Sequence, residues 1–245
     1  MLLGLLLILL SLLLWQAYHL FEHSGVFVVR KITIQGLQKA SEEEILRLAQ
    51  LKIGMPMLGF TAKEVEKRIC TNAWIDRATL HRSWPYALHI VIQEHRPLAI
   101  INLENGPGLY YLDHNGKVFA PVESGQDLDF PVVTGLHLPK VPTDLHQAGP
   151  VAGEAVRFLH FAALGNPILP MQSISEIHVS RENGIIAYLV ERPFPIHLGY
   201  GNIKTRYYQL VGLLEQLYRK EKIEHIKEIR MDYQADRILV SKTEP

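Results

Sequence analysis

Two histidines four positions apart on a helix can share a metal ion, and His19-Leu20-Phe21-Glu22-His23 has that spacing with a glutamate between them. The pattern matches H-x-x-E-H, in which the imidazoles would hold zinc and the carboxylate would serve as general base. Its setting argues against that chemistry. The motif falls where a long apolar run ends, and no later helix offers an acidic third ligand, so these residues read as polar groups at a lipid interface. Gly199-Tyr200-Gly201, ahead of a helix, has the makings of a phosphate cradle at a helix N-terminus. It lacks a third glycine and the Lys-Ser/Thr pair of a P-loop, and it follows no βαβ unit, which leaves a tight strand-to-helix turn. Asp113-His114 borders Asn115-Gly116 and reads as turn formers with solvent-exposed side chains. No G-x-S-x-G elbow is present, and the twelve histidines are scattered. No catalytic residue, cofactor, metal or small-molecule substrate is expected.

The elements that would have to position such groups follow from the apolar pattern. Residues 1–14 are Leu and Ile broken only by Met1, Gly4 and Ser11, and no charged side chain appears before Glu22. A spanning helix needs about 20 mostly apolar residues, and Trp15 and Tyr18 sit where interfacial aromatics belong, so residues 1–22 are expected to be a membrane anchor. A cleaved signal peptide would show a basic start and a small-x-small site, and Ala17-Tyr18-His19 is a poor match to one. No second apolar span follows, so about 220 residues are expected on one side, outside the cytoplasm if the N-terminus is inside. Acidic and basic side chains balance at 25 each, which excludes the electrostatic footprint of a nucleic-acid binder. The single cysteine, Cys70, excludes an intramolecular disulfide; beside Ile69 on a helix it is expected to be a small buried hydrophobe.

Along the chain, residues 26–34 read as a strand closed by Gly36. Ser41 with Glu44, and Thr61 with Glu64, are capping-box patterns that open two helices, the first broken at Gly54 and Pro56. Residues 74–82 and 86–94 follow as extended runs joined by Ser83-Trp84-Pro85, and Leu88, Ile90 and Ile92 alternate with His89, Val91 and Gln93 in a strand period. Strand, helix, helix, strand, strand in about 70 residues gives a three-stranded sheet with two helices on one face, an α+β unit. Trp74 and Trp84 are expected to cover the edge of its core. Beyond Pro97 the pattern is mostly β: Asn115-Gly116 marks one hairpin, Glu182-Asn183-Gly184 a second, residues 155–164 a helix, residues 204–219 another, and two strands close the chain. Residues 138–150, rich in Pro and Gly, read as a loop.

Particular residues carry a resemblance. Ile32-Thr33-Ile34-Gln35-Gly36, Ser41-Glu42-Glu43-Glu44-Ile45, Gly54-Met55-Pro56-Met57-Leu58, Trp74-Ile75, Arg82-Ser83-Trp84-Pro85 and Glu94-His95-Arg96-Pro97-Leu98-Ala99 together resemble the POTRA segment of the FtsQ/DivIB family of bacterial cell-division proteins. The run from Tyr111 through Asn115-Gly116 to Phe119, then Phe130-Pro131-Val132-Val133-Thr134-Gly135, His197-Leu198-Gly199 and Glu228-Ile229-Arg230-Met231-Asp232-Tyr233, is similar to that family's second domain. The resemblance implies an N-terminal transmembrane helix (1–22), a β-α-α-β-β POTRA domain (26–96) and a C-terminal, mostly antiparallel β domain with flanking helices (97–245). It also implies a non-enzymatic, single-pass inner-membrane scaffold at the division septum, cytoplasmic at its N-terminus, that binds the FtsB/FtsL pair and further division proteins and helps position septal wall synthesis.

The closing strands offer a place for that binding. Ile229, Met231 and Tyr233 alternate with Glu228, Arg230 and Asp232, which predicts one buried face. No later strand can cover Arg237-Ile238-Leu239-Val240-Ser241, and such an edge is either blunted or used. Use by strand addition from FtsB is what the resemblance implies, with Tyr233, Arg237, Ile238, Leu239, Val240 and Ser241 as the partner-binding residues. Asp232 departs from the family pattern, which often has a basic residue before the aromatic. Two other readings are an outer-membrane transport component, for which the chain is too short to close a barrel, and a zinc-dependent membrane protease built on His19 and His23.

Overall fold

Ser41 and Thr61 set the helix starts of the first unit. The Ser41 hydroxyl accepts the Glu44 N–H, and Thr61 and Glu64 complete a reciprocal capping box. The computed structural model describes residues 9–16, 27–103, 108–138, 140–234 and 237–242. Residues 9–16 form the helical segment α1. No described helix is long and apolar enough to cross a membrane; most of the expected anchor, together with His19 and His23, lies outside the described residues.

The chain divides into units of residues 1–95 and 96–245. In the first, β1 (Lys31–Gln35), α2 (Glu42–Ala49), α3 (Ala62–Ile69), β2 (Ile75–Ser83) and β3 (Ala87–Glu94) follow in chain order. The sheet order is β1-β3-β2, with β3 central, parallel to β1 and antiparallel to β2. Ile45, Ala49, Val65 and Ile69 from the helices pack on Ala78, Leu80, Leu88, Ile90 and Ile92 from the sheet. Gly36 has φ +93°, and a Cβ there would run into the Ile92 carbonyl, so only glycine closes this turn. Glu94 fastens the following loop by accepting the N–H groups of Gln38, Lys39 and Ala40.

Two expectations for this unit are corrected. The first strand begins at Lys31, because Phe27 and Val29 hydrogen-bond to Met57 and Met55 of the loop after α2. Cys70 is exposed, because α3 ends at Ile69 and the cap residue turns out of the core. Trp84 is half exposed and lays its ring against Phe27, which packs on this core, as a residue at the core's edge does.

The second unit is one nine-stranded sheet in the order β12-β11-β10-β9-β8-β7-β4-β5-β6. Its strands are β4 (Pro97–Leu103), β5 (Leu109–Asp113), β6 (Val118–Pro121), β7 (Val132–Leu136), β8 (Ile174–Ser180), β9 (Gly184–Leu189), β10 (Ile196–Gly199), β11 (Ile226–Gln234) and β12 (Arg237–Lys242). The β4–β7, β7–β8 and β10–β11 pairs are parallel and the other five antiparallel. Helices α4 (Pro150–Ala163) and α5 (Ile203–Arg219) cover one face, with Phe158 and Tyr207 edge to face at 5.5 Å between ring centroids. α4 begins at Pro150, five residues before the apolar pattern that predicts it, since proline gives up nothing at the first helical position. Asp113, expected in solvent, is 2% exposed; its carboxylate accepts the Asn115 and Lys117 N–H groups and builds the turn from beneath.

Candidate functional site: the β11–β12 edge

β12 is held by β11 on one side, through Ile226–Lys242, Glu228–Ser241, Ile229–Val240 and Arg230–Leu239 pairs. It is the last strand in the sheet order, so its other side is an unpaired edge among the described residues. Ile238 and Val240 are partly buried against the core, and they anchor the strand. Arg237 and Lys242 are exposed, and Leu239, opposite Arg230 on the other face, is 45% exposed. The strand therefore presents a row of main-chain groups with an apolar side chain beside them, the chemistry that a partner strand needs.

Tyr233 does not lie on a buried face as its alternation with Ile229 and Met231 predicts. Those two are buried, but Tyr233 is 62% exposed. β10 ends at Gly199, whose Cβ position would lie 2.6 Å from Asp232 Cβ, so β11 outruns its neighbour just before Tyr233. The β11–β12 register also shifts between Arg230 and Gln234. A large aromatic is left standing at the end of the open edge.

The charges beside it are paired within β11. Arg230 grips Asp232 with two hydrogen bonds, Nε to Oδ1 at 3.2 Å and Nη2 to Oδ2 at 3.0 Å. Partial burial pushes the Asp232 carboxyl up, but the Arg230 hydrogen bonds and charge outweigh it and hold the group below its usual value. The Asp232 charge is thus balanced by Arg230 of its own strand. His197 Nε2 lies 3.6 Å from Glu228 Oε2 on the adjacent pair of strands.

The other candidates do not assemble. The Gly201 N–H, which a phosphate would need, already donates to both Glu154 carboxylate oxygens, at 2.9 and 3.1 Å. His114 meets the His160 ring at 6.4 Å, and burial, then the His160 charge, push it below its ordinary value. Sequence reasoning missed Thr134, His178 and Glu176, which register brings together on β7 and β8. The Thr134 hydroxyl lies 2.9 Å from His178 Nδ1 but gives its hydrogen to Glu176, which is the wrong order for a nucleophile and base. A cleft of about 510 Å³ lined by Leu136, Leu138, Val151 and Tyr200 opens beside the start of α4. No group of three or more His, Cys, Asp or Glu side chains suited to a metal occurs among the described residues.

Comparison with known proteins agrees with this layout. "POTRA domain, FtsQ-type" matches residues 27–95, and "Cell division protein FtsQ/DivIB, C-terminal" matches residues 101–232. The second match stops one residue short of Tyr233, so β12 lies beyond it. The chain is similar to proteins named cell division protein FtsQ. That of Geobacter sp. (strain M21) is 29% identical over 93% of this chain and 81% of the relative. That of Geotalea daltonii is 28% identical over 92% and 79%. That of Anaeromyxobacter sp. (strain K) is 30% identical over 91% and 75%. The chain belongs to the FtsQ/DivIB family of cell-division proteins, whose members are not enzymes.

Proposed function

We propose that this chain is a single-pass inner-membrane scaffold of the division machinery that holds FtsB, with FtsL, by strand addition along β12. Residues 1–22 anchor it, residues 26–96 and 97–245 form two domains outside the cytoplasm, and the second domain carries the partner site on Tyr233, Arg237, Ile238, Leu239, Val240 and Ser241. The observation that carries the reading is the unpaired β12 edge with Leu239 and Tyr233 exposed beside it. An open apolar edge is an aggregation hazard that natural sheets blunt unless it is used, and among the described residues of β12 only Arg237 and Lys242, at its ends, are charged. Main-chain pairing would supply affinity, while Leu239 and Tyr233 would supply side-chain selectivity. By holding the FtsB/FtsL pair at the septum, the chain would help position wall synthesis without catalysing it.

A photo-crosslinking side chain at Leu239 tests this in dividing cells. It should trap FtsB, identified by mass spectrometry of the adduct. FtsB trapped instead by a crosslinker at Tyr218 on α5, with none at Leu239, would move the site off the edge.

A further inference from the structure

The first unit brings together two histidines that lie eight positions apart in the sequence. β2 and β3 pair with Leu80 opposite Ile90 and Arg82 opposite Leu88, and between those pairs His81 stands directly opposite His89. Leu80, Leu88 and Ile90 are buried under the helices, so the alternation of strand side chains puts both histidines on the other face. Thr79 opposite Val91, the next pair on that face, has Val91 exposed. Residues directly opposite on antiparallel strands hold their Cβ atoms about 4.5–5.5 Å apart, a spacing from which two imidazoles can reach one ion.

β1 completes the row by placing Thr33 opposite His89. Thr33 Oγ1 lies 2.6 Å from His89 Nδ1 and donates to the Leu88 carbonyl at 3.2 Å. A hydroxyl has one hydrogen. With it given to Leu88, Thr33 accepts from His89 Nδ1–H, and that tautomer leaves the Nε2 lone pair bare. A metal-binding histidine is prepared in this way, by a second group that fixes the other ring nitrogen. The neighbours of the pair on this face are Thr79, Ser83, Ala87 and Val91 with Lys31 and Gln35 of β1, and they include no carboxylate that would explain the histidines as ion-pair partners.

We propose that His81 and His89 form a two-histidine site for a borderline divalent cation of the zinc and copper class. Imidazole suits these ions, whereas magnesium and calcium require oxygen donors. Two protein ligands fill half of a tetrahedral zinc shell, and water takes the remaining positions.

The test is calorimetric titration of zinc chloride into the full chain in detergent micelles, beside the double variant His81→Asn/His89→Asn, the single variant His81→Gln and Thr33→Val. Other histidines, His19 and His23 among them, can also take zinc, so the reading is the difference between chains. The double variant should bind one zinc fewer, and His81→Gln, a change at an exposed side chain, should remove the same site. Thr33→Val should keep the stoichiometry and weaken that site by about 10-fold or more. Magnesium chloride should give no difference between the chains. Thermal melting confirms that each variant is folded. Equal zinc stoichiometry and affinity in the wild-type chain and in folded His81→Gln would overturn the proposal.

Discussion

The Tyr207 hydroxyl donates to the Leu169 carbonyl at 2.9 Å inside the core of the second unit, with the ring between Phe158 and Phe161. Burial, then the neighbouring Tyr208, push its ionisation up to about 12. A raised folded value means that the neutral form is preferred by the folded state. The resulting stability is complete below the ordinary value of 10.0 and is lost as pH rises from there toward about 12. Tyr207→Phe should cost about 1 kcal/mol at neutral pH, through the lost hydrogen bond. It should also flatten the fall of stability above pH 10, read by urea unfolding across that range. An unchanged alkaline slope would mean that another tyrosine carries it. The exposed Tyr233 shows how far position decides: the same side chain type is core on α5 and surface at the end of β11. Alternation along β11 suggests burial for both Met231 and Tyr233, but burial depends on whether a neighbouring strand reaches that far.

At the scale of elements, legibility followed sequence separation. Ser41, Thr61, Asn115-Gly116 and the apolar stripe of α5 act over a few residues, and each produces the cap, turn or helix that its chemistry predicts. Pairings such as β4 with β7 and β10 with β11 join distant segments, and nothing local announces them. The same reason hides His81 opposite His89, Thr134 beside His178, and the buried carboxylate of Asp113, each of which depends on register or on the packing above a turn. The extent of α4 was missed for a different reason. Its first turn lacks a side-chain cap and begins at proline, a residue that usually signals a loop. The first unit has its own core of Ile45, Ile69, Leu88 and Ile90 under two helices. An isolated segment of residues 27–95 should therefore fold alone and show a cooperative thermal transition by circular dichroism. A gradual, featureless melt would show that it depends on the rest of the chain.

Across the whole molecule, a small α+β unit is followed by a nine-stranded sheet whose last strand, β12, is paired on one side only among the described residues. Alkaline phosphatase fused after Pro245 should be active, as expected for a C-terminus outside the cytoplasm; an inactive fusion in stable protein would reverse the topology. The central claim is that β12 is a docking edge. Tyr233→Ala removes an exposed aromatic, and Leu239→Pro puts a residue without an N–H into the strand, while the buried core is untouched by either. The most direct measurement is the dissociation constant of the FtsB/FtsL pair for the full chain and for the Tyr233→Ala/Leu239→Pro double variant, each shown to be folded by circular dichroism. A loss of about 2 kcal/mol or more, roughly 30-fold in affinity, is predicted. Unchanged affinity in a folded double variant would contradict the assignment of the site to β12.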